Sequence, residues 1–266
     1  LLQPVRGKID VTGAEPYQVE HSCPQCGAPV AMGESDYLLT CPYCKVRLYW
    51  FSDGPPKYCL PAQKNESATL LVPYWRSRGM EFTVRKGGIR ESLVDRTWNA
   101  SGYRCFPSSL GVRAQALRLR VAEPGDHLRF LPASLPPDEP PPQKPLSLLI
   151  GRRVPEEEDP LLCRVFLKDA FSLIYLPTFA REGLLYDGVS LSALGSAPPG
   201  LTGTAGPGDD SGIPTHRFVP ALCPNCGSDL DGERESCLVF CPNCMTGYNL
   251  SGGRLRDIPF LLVNGG

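Results

Sequence analysis

Cys23-Pro24-Gln25-Cys26-Gly27 and Cys41-Pro42-Tyr43-Cys44, with fourteen residues between Cys26 and Cys41, form the stretch that decides the fold. The arrangement returns at an offset of 200 as Cys223-Pro224-Asn225-Cys226-Gly227 and Cys241-Pro242-Asn243-Cys244, with the same internal spacing. A Cys-x-x-Cys turn lets two thiolates converge on one ion at about 2.3 Å, and two such turns on neighbouring hairpins make a closed tetrahedral site. The spacing assigns Cys23, Cys26, Cys41 and Cys44 to one metal ion and Cys223, Cys226, Cys241 and Cys244 to a second. Glycine after Cys26 and Cys226 suits a backbone with positive φ, which would turn amide hydrogens toward the sulfurs. Val30, Leu38 and Leu39 match Leu230, Leu238 and Val239, and predict short strands that carry the second turn of each pair.

Disulfide pairing or a thioredoxin-like redox motif is the rival reading of these eight cysteines. A redox Cys-x-x-Cys occurs once, at a helix start after a strand, and four copies without a βαβ pattern do not fit it. The metal is expected to be two Zn2+, with iron as the alternative, because both take four thiolates. A closed site keeps no open coordination position, so its expected role is structural or electron-carrying, not hydrolytic. Cys59, Cys105, Cys163 and Cys237 are left without a metal. Cys237 aligns with Tyr37, and it, Cys105 and Cys163 are expected to be small apolar fillers.

Each module resembles a zinc ribbon of the transcription-factor IIB and rubredoxin-like type. The stretch Cys223-Pro-Asn-Cys226-Gly227-Ser-Asp-Leu-Asp-Gly-Glu-Arg-Glu-Ser236 is similar to a segment of uncharacterised bacterial double zinc-ribbon proteins. The likeness covers roughly residues 20–50 and 216–250. It implies a fold and a metal and leaves function open, since zinc ribbons serve many roles.

Working outward, twelve cysteines in 266 residues exceed background but fall well short of a disulfide-scaffold composition. With 42% apolar and 21% charged residues the chain can bury a core. A net charge of −1 argues against a surface wholly dedicated to nucleic acid. No apolar stretch approaches the ~20 residues of a membrane span, and residues 1–10 show no export signal, although a chain that begins at Leu need not show its true start. Reduced thiols and metal thiolates favour a cytoplasmic setting.

Residues 132–145 hold seven prolines in fourteen positions and read as a semi-rigid spacer, and residues 195–214, rich in Gly, Pro and Ser, as a flexible one. The expected plan is an N-terminal extension (1–14), a first ribbon (15–60), a β-rich half (61–131), a proline-rich linker (132–160), a second β-rich half (161–194), a Gly/Pro linker (195–215) and a second ribbon (216–266). Leu70-Leu-Val-Pro73-Tyr-Trp75-Arg-Ser-Arg-Gly79-Met-Glu-Phe82 lies over Leu173-Ile-Tyr-Leu-Pro177-Thr-Phe179-Ala-Arg-Glu-Gly183-Leu-Leu-Tyr186 at an offset of 104. Both read as strand, glycine-containing turn and strand, with each proline at an edge or bulge. The fold class is therefore mainly β: two four-cysteine zinc ribbons flank a β-hairpin-rich central region with an internal pseudo-two-fold repeat. Helices are expected only as short pieces, near Leu110 to Leu119 and Leu161 to Ala170.

The chain carries no nucleotide-binding glycine loop and no zinc-hydrolase helix motif. His21, His127 and His216 have no partner at ligand or catalytic spacing, and Gly208-Asp-Asp-Ser211-Gly212 lies in a linker without strand context. Glu156 to Asp159 read as a solvated linker end. The chain is thus expected not to be an enzyme. From Arg76 to Arg120 ten basic residues stand against three acidic ones, with Trp75, Trp98 and Tyr103 between them. Such a region can bind phosphate and stack on bases, but strand alternation would instead point the arginines outward and the aromatics into the core. The leading expectation is a non-catalytic, metal-stabilised interaction or assembly protein whose ribbons present rigid loops to a protein partner, without membrane insertion. A nucleic-acid binder using residues 76–120 is the second reading, and an electron carrier with iron held by four thiolates the third.

Overall fold

The structure, a computed structural model, describes residues 18–52, 54–63, 70–111, 113–122, 129–138, 160–196, 201, 216–251 and 254–259. The N-terminal extension, most of both linkers, His127, the acidic run and Ser211 lie outside the described residues. The chain is mainly β, with sixteen strands and one helical turn among the described residues.

In chain order, β1 (Gln18–Ser22) and β2 (Pro29–Gly33) enclose the first Cys-x-x-Cys turn, and β3 (Leu38–Thr40) and β4 (Arg47–Ser52) the second. After β5 (Lys57–Cys59), β6 (Leu70–Arg85) turns back at Lys86-Gly87 into β7 (Gly88–Asn99). The turn α1 (Arg113–Ala116) and the short β8 (Leu119–Val121) and β9 (Arg129–Phe130) follow. Next, β10 (Leu161–Arg181) turns at Glu182-Gly183 into β11 (Leu184–Asp187) and β12 (Ala193–Ser196). Last come β13 (His216–Pro220), β14 (Leu238–Cys241), β15 (Thr246–Ser251) and β16 (Arg254–Ile258).

The two central segments build one sheet. β6 and β10 pair antiparallel from Leu70↔Thr178 to Arg85↔Leu161. β7 lines the other edge of β6, while β5 leads from β10 through β8 to β1 and β2, so the first hairpin of ribbon 1 extends this sheet. Leu70, Val72 and Tyr74 share one face with Ile174 and Leu176 and pack against Trp50, Tyr58, Phe106 and Leu110. Leu71, Leu173 and Tyr175 face the other way, onto Ala100, Ala122 and Phe130. Burial on both faces explains why Leu70 to Tyr74 reads as an unbroken apolar run.

Four expectations need correction. First, Leu161 to Ala170 is strand, not helix, and α1 spans only four residues. Second, Gly79 is not a turn residue: β6 runs straight through it. A Cβ at Gly79 would overlap the carbonyl group of Leu167, beside the bulge where β10 shifts register between Lys168 and Ala170. The glycine answers a crowded partner backbone, whereas Gly183, at φ 78°, does occupy the β10–β11 turn. Gly79→Ala is accordingly expected to cost about 1–3 kcal/mol in urea unfolding; an unchanged midpoint would contradict this packing. The prolines do stand at local edges, each with a paired strand on one side only. Pro73 O accepts from Ala100 N where β7 has ended, and Pro177 O accepts from Gly188 N where β11 has ended, so neither missing N–H breaks a ladder. The third correction concerns Arg76 and Arg78 and the fourth Cys163 and Cys237, both described with the site.

The two ribbons pack together. β13 pairs with β4 from His216↔Ser52 to Pro220↔Leu48, so the segment that enters ribbon 2 supplies the third strand of ribbon 1. Beside β15 the equivalent place is taken by β16. The loop at Glu233 to Ser236 reaches back to ribbon 1: Tyr37 N and Leu38 N donate to Arg234 O, and Tyr49 Oη donates to Ser236 O at 3.0 Å. Arg47 Nη1 donates to Leu230 O at 2.6 Å, and Arg234 pairs with Asp36. Leu38 and Tyr49 share an apolar cluster with Ala221, Leu230, Val239 and Tyr248. No helix among the described residues is long and apolar enough to cross a membrane.

Candidate metal centres

All four knuckles use one backbone design. Cys23 N donates to Ala28 O at 2.8 Å and Gly27 N to Cys23 O at 2.7 Å, with φ 73° at Gly27. Cys223 and Gly227 repeat this with Ser228 O at 2.8 Å and Cys223 O at 2.9 Å. In the second knuckle of each ribbon the left-handed position falls to Lys45 (φ 62°) and Met245 (φ 55°). A side chain there costs about 1–2 kcal/mol relative to glycine, so these turns persist only because the hairpins on either side hold them.

The structure gathers Cys23, Cys26, Cys41 and Cys44 into one group and Cys223, Cys226, Cys241 and Cys244 into another, every sulfur within 4.8 Å of the others in its group. In the first, Cys23 Sγ lies 3.8 Å from Cys44 Sγ and Cys26 Sγ 3.7 Å from Cys41 Sγ. In the second, Cys223 to Cys244 is 3.3 Å and Cys226 to Cys241 3.5 Å. Four thiolates set tetrahedrally at 2.3 Å from an ion stand about 3.8 Å apart, whereas a disulfide needs about 2.05 Å. All twelve cysteines are free. The donor sets therefore fit a metal ion in each ribbon, and four thiolates suit zinc and iron alike. Cys23, Cys41, Cys223 and Cys241 are buried, while Cys26 and Cys44 face solvent.

One neighbour of the second site lay beyond the reach of sequence spacing. The Tyr248 hydroxyl, fully buried, stands 3.2 Å from Cys223 Sγ and can donate to the thiolate. Its counterpart at the offset of 200 is Leu48, which offers no donor. Such a hydrogen bond orients a ligand and tunes its basicity, and its loss typically costs ten- to a hundredfold in metal affinity. Tyr248→Phe should therefore speed metal loss to a competing chelator from one of two sites only. Equal release from both would remove the assigned role.

The basic region is largely occupied with the protein itself. Arg76 is almost fully buried: Nη1 donates to Glu34 Oε1 at 2.5 Å, and Nε and Nη2 donate to Asp95 at 2.8 and 2.6 Å. Arg78 Nη2 donates to Asp169 at 2.8 Å and its Nη1 lies 3.5 Å from Glu34 Oε2. Both arginines share the face of Leu70, Val72 and Tyr74 that ribbon 1 covers, which corrects the expectation that they point outward. The signal was present in their even spacing from Tyr74. Trp75 and Trp98 lie on the opposite face, half-buried against Phe171. Burial pushes Glu34 up to about 7, against the lowering influence of Arg76 and Arg78.

The remaining candidates are dispersed. His21 stacks on Phe218 and meets His216 edge-on, and neither histidine belongs to a thiolate group. Cys59 pairs with Tyr175 in the sheet, and burial pushes its thiol up to about 12. Cys105 packs partly against the main core, whereas Cys163 and Cys237 are exposed and so are not fillers. Comparison with family models, with curated proteins and with solved structures finds no match to this chain.

Proposed function

We propose that the protein is a non-catalytic zinc protein whose two structural ribbons serve as protein-binding modules in a larger assembly. The observation that carries this reading is the pair of closed four-thiolate sites whose knuckle tips expose apolar side chains: Tyr43 is 64% exposed and Met245 54%. A closed site supplies folding energy but no position for a reacting group. A rigid turn that presents an unburied aromatic or thioether side chain suits recognition of a partner surface. The nucleic-acid reading loses support because Arg76 and Arg78 are neutralised by Glu34, Asp95 and Asp169, and Trp75 and Trp98 are held by Phe171.

The test combines metal and partner. Elemental analysis of native protein should give two zinc and no iron per chain. Proteins captured by the native chain should be lost with a Tyr43→Ala, Met245→Ala variant that still carries two zinc. Iron in place of zinc, or capture indifferent to those two changes, would count against the reading. Strong salt-sensitive binding to single-stranded or duplex nucleic acid would favour the second one.

A further inference from the structure

Past Arg78 the central sheet leaves the body as a three-stranded arm made of the outer halves of β6, β7 and β10. Residues directly opposite share a face, so the register fixes what each face shows. One face carries three rows: Ile89, Val84 and Cys163; Glu91, Phe82 and Val165; Leu93, Met80 and Leu167. Eight of these nine side chains are apolar. Ile89 is 68% exposed, Leu93 64%, Leu167 58% and Val165 45%. The opposite face shows Arg90, Thr83 and Arg164, then Ser92, Glu81 and Phe166. The apolar rows continue the face that ribbon 1 covers nearer the core, where Leu70, Val72 and Tyr74 are buried. Among the described residues nothing covers them beyond Arg78.

We propose that this face is the interface of a symmetric dimer in which two arms lie face to face and antiparallel. It goes beyond the ribbon-loop reading and would stand if the ribbons bound only metal. Area supports it: these exposures amount to on the order of 600 Å2 per chain, at the upper end of surface patches on monomers. A symmetric pair would bury on the order of 1,200 Å2, which reaches the range of specific interfaces. Pattern supports it too. A two-fold axis crossing the strands at Phe82 lays the Val84 row of one arm over the Met80 row of the other, while the Phe82 rows meet each other and the two Glu91 carboxylates face across the solvent-exposed rim. Sheets packed this way keep their strands within about 30° of each other.

Charge favours the antiparallel sense. The same axis brings the Lys86 turn of one chain level with Arg78 of the other. There a cleft of about 370 Å3 opens between the two ribbons, lined by Glu34, Asp36, Glu233 and Glu235 along with Arg78 and Arg234. Arg78 and Arg234 are already paired with Asp169 and Asp36. With Glu34 held by Arg76 and Arg78, the cleft offers the carboxylates of Glu233 and Glu235 to an incoming ammonium group.

Sedimentation equilibrium of the metal-loaded full chain is expected to show a dimer. Leu93→Glu with Leu167→Glu, both at exposed positions, should raise the dissociation constant at least a hundredfold while leaving two metal ions per chain. Ser92→Glu, on the opposite face, should leave it unchanged. Lys86→Glu should weaken the dimer about tenfold, and adding Glu235→Lys should restore it. A monomer at 100 µM overturns the proposal, whether the face is bare or covered by residues 146–150 or by another protein. So does a dimer indifferent to the paired glutamates or equally lost with Ser92→Glu. A dimer that the Lys86 and Glu235 changes leave untouched overturns the antiparallel arrangement.

Discussion

Cys241→Ser is expected to drop the metal content from two ions to one and to unfold ribbon 2 while the central sheet stays folded. Cys241 is fully buried and ends β14, where its backbone pairs with Thr246 to close the hairpin. The apolar cluster around it holds eight buried residues, two of them candidate metal ligands and two borrowed from ribbon 1. So small a core does not balance chain entropy unaided. A structural tetrathiolate ion contributes about 10–16 kcal/mol at neutral pH, comparable to or above the whole stability of a typical domain, about 5–15 kcal/mol. Removing one ligand should therefore render residues 221–259 sensitive to protease. Ribbon 1 should keep its ion but lose about 1–3 kcal/mol with the contacts of Arg234 and Ser236. Cys237→Ser, four residues away and exposed, serves as the control and should change nothing. Two ions retained after Cys241→Ser would sink the assignment of that site.

The second large effect is expected at Arg76. Arg76→Met keeps the bulk of the side chain but leaves Glu34 and Asp95, both almost fully buried, without their shared cation. Breaking a buried pair in this way costs about 3–5 kcal/mol, read as a lower urea midpoint with metal retained. The same network gives a pH signature. Glu34 has its folded pKa raised from 4.5 to about 7, so the folded state binds a proton that the unfolded state has released. Its contribution to stability is fully present below the unfolded value and is lost as pH rises through about 7, a change of about 3 kcal/mol. Glu34→Gln should abolish that slope. The stability difference between wild type and Glu34→Gln, followed from pH 5 to 8 with metal bound, isolates it from proton competition at the thiolates. A difference that stays flat over this range would show that Glu34 is not protonated in the fold.

How much of this could be read from the chain follows from the range of the interactions. The thiolate sites were legible because each needs only two short turns at a fixed spacing, and Gly27 and Gly227 mark the left-handed position directly. The β content was legible in the apolar runs and in the abundance of Pro and Gly. Gly79 misled because a glycine that yields to a neighbouring backbone looks identical, in one dimension, to a glycine that turns. Leu161 to Ala170 misled because its charges and apolar residues satisfy either period, and the bulge at Lys168 to Ala170 interrupts the alternation that would have identified a strand. The Glu34, Arg76 and Asp95 cluster draws on distant parts of the chain. Only its arginine announced itself, by sharing the period of Val72 and Tyr74.

The strand that ribbon 1 takes from the segment leading into ribbon 2 bears on how the chain acquires its structure. Ribbon 1 is the earlier of the two to leave the ribosome, yet β13, which completes its sheet, begins at His216, far beyond the end of β4 at Ser52. Closing a loop of roughly 160 residues costs about 4–5 kcal/mol of chain entropy before any contact rewards it. Pairings of such long range slow folding. The first four cysteines therefore spend most of synthesis beside an unfinished sheet, open to wrong metals and to oxidation. The order of events is then set from the far end of the chain, and a truncated product lacking residues 216–220 should fail to mature its first ribbon even with all four ligands present.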